Sequence, residues 1–74
     1  MKQIVLEIIA EALSVAPEKL TDDLSIGDIS EWDSVGNLAI ITALEERLGV
    51  EIPLDDLFEM TSIAAIIEEI EKLL

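Results

Sequence analysis

Polar residues at Gln3, Glu7 and Glu11 recur every four positions, and Val5, Ile8, Ile9 and Ala12 fall between them with Leu13 at the edge. That rhythm predicts an amphipathic helix over residues 3–13, its apolar stripe turned inward. Pro17 is expected to close it, since proline cannot sit in a helix interior. Residues 17–33 lose the rhythm. Leu20, Leu24, Ile26 and Ile29 are scattered there among Ser, Thr, Asp and Gly27, which reads as a long loop pinned to the rest by aliphatic anchors. A loop of this length in a small domain is usually functional or contains a helical turn.

The helical rhythm resumes at Ser34 and holds to Leu48. Ile40, Ile41, Leu44 and Leu48 make a core face, while Val35 and Leu38 form a second stripe with Thr42 that need not be buried. Asp33 or Ser34 can cap the start and Gly49 the end. Pro53 can open a short third helix over residues 54–59, with Phe58 as the anchor tying it to the bundle. Thr61 or Ser62 then caps a last helix whose stripe is Ile63, Ile66, Ile67, Ile70 and Leu74, leaving Glu68, Glu71 and Lys72 outside. No alternating strand pattern appears. The expected fold is all-α: a small bundle of three main helices plus one short helix, with a long first loop, forming one domain over residues 1–74.

Composition narrows the function. The chain is 51% hydrophobic but only 3% aromatic, so its interior must be largely aliphatic. It has no Cys and no His, which excludes disulfides, thiolate catalysis, the usual zinc sites and a Ser-His-Asp hydrolase. An enzyme acting alone is not expected. The 17 acidic against 4 basic residues leave a net charge of −13. That disfavours nucleic acid and anionic membranes and favours a basic protein partner. It exceeds the magnitude of about 2–8 that keeps a small domain soluble, and its self-repulsion favours a monomer. Glu7 and Glu11 interrupt the N-terminal apolar stretch too early for a signal peptide or a spanning helix, so no membrane insertion and a cytoplasmic location are expected.

The run Glu31-Trp32-Asp33-Ser34-Val35 lies at the end of the long loop and opens the second helix. Downstream come Ala43-Leu44-Glu45-Glu46-Arg47-Leu48-Gly49-Val50-Glu51-Ile52-Pro53 and then Thr61-Ser62-Ile63 at the last helix. In these residues, and over essentially its whole length, the chain resembles the acyl carrier protein superfamily, with Val35 where the family's Asp-Ser-Leu signature has Leu. The resemblance implies a 4′-phosphopantetheine arm attached to Ser34 by a separate phosphopantetheinyl transferase, using coenzyme A and a divalent metal. The arm's thiol would carry an acyl group as a thioester for fatty-acid, lipid or polyketide enzymes. An aminoacyl or peptidyl cargo, carried on the same arm, is the alternative.

Physical chemistry supports the placement. A serine opening a helix faces away from the bundle, and the positive end of the helix dipole favours an attached phosphodiester. Asp33 works against that field, and Asp33-Ser34 also serves as an ordinary cap pair. The resemblance further implies a docking face along the second helix for loading and processing enzymes with basic surfaces, drawing on Asp33, Val35, Leu38, Glu45 and Glu46. Asp55 and Asp56 extend it if the third helix lies alongside. For Glu45 and Glu46 a solvated acidic turn is an equal reading, and for Val35 and Leu38 a core role competes. Many fatty-acid carriers have acids two and five residues after the serine. Here Gly36 and Ala39 stand there, which suits a specialised carrier.

Trp32 is expected to cover apolar surface between loop and bundle, Met60 to sit in the core with partner contact as the alternative, and Gly36 to admit close backbone approach by a partner. The lack of aromatics suggests that the aliphatic, Ala-containing interior (Ala12, Ala43, Ala64, Ala65) can part around an acyl chain. Two other readings are an unmodified acidic adaptor, which predicts that Ser34→Ala is harmless, and weak cation binding by Asp22, Asp23, Asp28 and Glu31, although the twelve-residue EF-hand pattern is absent.

Overall fold

Helix α1 spans Lys2–Leu13 and buries Val5, Ile8, Ile9, Ala10 and Leu13, while Gln3, Glu7 and Glu11 stay exposed. The computed structural model describes residues 1–74. The helix stops ahead of Pro17 for a local reason: Ser14 adopts a left-handed conformation with φ 57°. Its amide donates to Glu11 O at 3.2 Å and that of Val15 to Ala10 O at 3.0 Å. These two bonds satisfy carbonyls that a helix end leaves open. Pro17 instead begins a single 3-10 turn, Pro17–Lys19.

The long loop is held by backbone pairing as well as by side chains. Leu20 is buried, and Leu24, Ile26 and Ile29 are half-buried. Ser25 pairs with Ser62 in an isolated antiparallel bridge. Ile26 N donates to Thr61 O at 2.8 Å, and Ile63 N to Leu24 O at 3.0 Å. The loop is thus stitched to the entry of the last helix, a tie that the hydropathy pattern does not reveal.

Helix α2, Ser34–Leu48, packs along α1 and buries Ile40, Ile41 and Leu44, with Leu48 only half-buried. Asp33 is its cap, its carboxylate accepting from Gly36 N at 2.8 Å, and Gly49 closes it at φ 66°. Helix α3 is one turn, Leu54–Leu57, shorter than expected, with Pro53 at its N-terminal cap position. Phe58 is therefore not the expected anchor. It follows the helix and is 78% exposed, while Met60, 1% exposed, reaches the core in its place. Helix α4, Ile63–Leu73, is capped by the Ser62 hydroxyl, which accepts from Ala65 N at 3.1 Å. It buries Ile63, Ile66 and Ile70; Leu74 lies beyond its end and is exposed.

Three main helices and one short one, with no sheet, make up the all-α bundle. The interior is Ile, Leu and Val with Trp32, Met60 and Ala10. The other small residues sit at its margin: Ala64 is exposed, and Ala12, Ala43 and Ala65 are half-buried. No helix is long and apolar enough to cross a membrane.

Candidate functional site

Ser34 is the first residue of α2 and is exposed. Its neighbours are fixed by short bonds that leave its own hydroxyl unengaged. Asp33 Oδ1 takes the Gly36 amide, and Asp33 O takes the Asn37 amide at 2.8 Å. Behind the serine, Trp32 is wholly buried, and its indole Nε1 donates to Asn37 Oδ1 at 2.9 Å. Gly27, at φ 89°, donates its amide to Trp32 O at 2.7 Å. Trp32 therefore joins loop to bundle as expected, and it also reaches forward past the serine to the first turn of α2. Asn37 is the residue that sequence reasoning missed. The available signal was a lone Asn one turn beyond the serine and five residues after the only Trp.

Gly36 has an internal reason to be glycine. A Cβ there would lie 2.5 Å from Glu31 O and 3.0 Å from a Leu13 methyl. Here the chain's own loop makes the close approach. The loop can fold back tightly over the start of α2 because this position lacks a side chain.

The remaining candidate residues divide. Val35 and Leu38 are 75% and 62% exposed, which removes the core alternative for both. Leu54 and Phe58 are likewise exposed. The segment carrying them is tied at both ends: Ile52 N donates to Glu45 Oε2 at 2.9 Å, and Thr61 O is bound by Ile26, beside the Gly27–Trp32 contact. It is thus held to α2 at its start and to the first loop at its end. Ser34 to Leu44 includes no charged residue, so beyond the Asp33 cap the first turns of α2 carry no charge.

The acids lie further off and differ in role. Glu46 and Asp55 are exposed. Glu45 is half-buried and spends one oxygen on the Ile52 amide. Asp56 turns toward α4, where its hydrogen bond to Glu69 raises the Glu69 pKa, helped by partial desolvation and by the Asp56 charge; Lys72 opposes the shift and Glu59 adds to it.

The loop acids do not converge. Asp22 pairs with Lys2 at 2.8 Å, Asp23 accepts from the Thr21 hydroxyl at 2.6 Å, Asp28 accepts from the Ser25 amide at 2.8 Å, and Glu31 accepts from the Ser30 hydroxyl at 3.3 Å. No group of three such side chains is placed to hold a metal ion.

The family described as "Phosphopantetheine attachment site" matches residues 3–70. An acyl carrier protein of Thermosynechococcus vestitus is 35% identical over 65 residues, covering 88% of this chain and 80% of its own. One from Campylobacter hominis is 35% identical over 67 residues, covering 90% and 85%. The meromycolate extension acyl carrier protein of Mycobacterium leprae is 31% identical over 67 residues, covering 90% of this chain and 58% of its own.

Proposed function

The chain belongs to the acyl carrier protein family and bears its phosphopantetheine attachment domain; from that premise we propose that Ser34 is the attachment residue and that the cargo is an acyl group. The observation that carries this is the exposed, unengaged hydroxyl of Ser34 at the first position of α2, held between the Asp33 cap and the Trp32–Asn37 bond. The residues fit the group. The hydroxyl faces solvent where a transferase can reach it, and the first amides of α2 have no partner within the helix. In the transfer the hydroxyl oxygen takes the phosphopantetheinyl phosphorus of coenzyme A, its proton is lost, and the nucleotide half leaves. When attached, the arm supplies a thiol, in a chain with no Cys, to carry the acyl group as a thioester.

The protein itself is a carrier, acting on nothing and presented to enzymes of fatty-acid, lipid or polyketide synthesis. Residues 1–74 act as one cytoplasmic unit, a monomer kept apart by like charge. Partner enzymes meet Val35 and Leu38 beside the arm and Glu46 and Asp55 farther away, so they present an apolar collar with basic residues outside it. The names of the relatives favour the acyl cargo over an aminoacyl one.

Intact mass tests the reading. Apo protein is incubated with coenzyme A, magnesium and a promiscuous phosphopantetheinyl transferase, beside Ser34→Ala. A gain of one phosphopantetheine in the native chain and none in the variant is expected. No gain, with a transferase active on another carrier, would sink it and favour the unmodified adaptor.

A further inference from the structure

Asn37 offers a donor that nothing in the chain uses. The Trp32 indole nitrogen is a donor only, so its 2.9 Å contact obliges Asn37 to present its amide oxygen. The indole is wholly buried and Asn37 half-buried. The oxygen therefore faces inward, and the amide nitrogen, on the other side of the same planar group, faces outward. That nitrogen takes part in none of the chain's side-chain hydrogen bonds. Asn37 lies three residues after Ser34, hence on the same side of α2. Helical side chains lean toward the helix N-terminus, so the free donor lies over the turn that begins at the serine.

The electrostatics give this donor work. A phosphodiester on Ser34 would stand beside the Asp33 carboxylate in a chain of net charge −13. No cation lies on the first turns of α2 to receive it. Lys2, Arg47 and Lys72 are paired with Asp22, Glu11 and Glu68, and Lys19 sits in the 3-10 turn. What the chain has near the serine is neutral: the first backbone amides of α2, of which Gly36 N is already taken by Asp33, and the Asn37 amide.

We propose that the Asn37 amide nitrogen holds the phosphodiester of the group carried on Ser34, and that Trp32 is the positioning residue that fixes the donor end of that amide toward it. This rests on the attachment reading and deepens it. One function follows for the buried tryptophan: without the indole, the Asn37 amide is free to turn its oxygen outward, toward a negative charge.

The sequence makes the test unusually direct, because Asn37 is the only Asn and Trp32 the only Trp. Uniformly 15N-labelled full chain is compared by NMR before and after conversion with coenzyme A and transferase, with intact mass read on the same sample. The expected result is a downfield shift of one Asn37 Hδ2 proton on conversion, a nearly stationary Trp32 indole signal, and no change in Ser34→Ala treated alike. In Trp32→Phe, verified as folded by its amide dispersion, the conversion shift of Asn37 should fall to less than half. A mass gain with both Asn37 Hδ2 protons unmoved overturns this proposal and leaves the attachment reading standing. An equal shift in Trp32→Phe removes the positioning role. Absence of any mass gain overturns the attachment reading, and the proposal with it.

Discussion

Gly36 passes so close beneath the carbonyl of Glu31 that a methyl group there would lie 2.5 Å from the oxygen. Helix propensity alone favours Ala over Gly by up to about 1 kcal/mol. Here sterics win, because the obstacle is backbone rather than a flexible side chain. Gly36→Ala is expected to destabilise by about 1–3 kcal/mol. Urea denaturation checks this, and a stabilised variant would show that the loop does not rest on α2 as described.

Ser14 predicts the opposite sign. It holds a left-handed conformation that costs an L-residue roughly 1–2 kcal/mol and glycine nothing. Its side chain is exposed and makes no hydrogen bond that glycine would lose. Ser14→Gly should stabilise by about 0.5–1 kcal/mol after the entropy that glycine adds to the unfolded chain is subtracted. A matched pair of denaturation curves measures it.

The Asp56–Glu69 pair sets a pH dependence. The folded state raises the Glu69 pKa above its ordinary value, so it binds that proton more tightly than the unfolded chain does. The stability gained is fully present below the unfolded pKa and is lost as pH rises through the folded one. Native protein should thus melt at a higher temperature near pH 5 than near pH 7.5. Asp56→Asn removes the carboxyl partner, so the difference between the two pH values should shrink. An unchanged difference would assign the pH effect to the remaining acids.

Glu45 and Glu46 are sequence neighbours with different work. Glu45→Ala leaves the half-buried Ile52 amide without its acceptor and should cost about 1–2 kcal/mol, with Glu45→Gln recovering most of it. Glu46→Ala should change stability by no more than about 0.5 kcal/mol. Its effect belongs in a lower association rate with a basic partner enzyme and a weaker salt dependence of that rate. Equal losses of stability in both variants would contradict the division.

Much of the bundle was legible because helical rhythm reports on burial along a single element. Val5, Ile8, Ile9, Ile40, Ile41, Leu44, Ile63, Ile66 and Ile70 were all placed inside from spacing, and all are buried. The rhythm fails where a segment is too short to show one. Phe58 follows a single turn, and its size suggested an anchor that Met60 supplies instead. It also carries no information across the chain. Nothing local to Glu45 indicates that its carboxylate would meet Ile52 N, nor to Gly36 that Glu31 would fold over it. Ser34 could be read because its position at a loop–helix junction is a local fact. Asn37 could not, since its role depends on where a residue five positions earlier comes to rest.

The bridge from Ser25 to Ser62 has a consequence in time. It joins residues 37 positions apart, and with the Ile26–Thr61 and Leu24–Ile63 bonds it adds long-range ties to the loop that leads to Ser34. Closing so long a span is entropically unfavourable until both ends have structure to meet. During synthesis, α1 and α2 can emerge and pair while the loop still lacks its backbone partners. The bonds from Leu24 and Ile26 to residues 61–63 form only after those residues have left the ribosome. The loop that leads to Ser34 therefore gains its last backbone ties late, after the residues that follow α3 have been made.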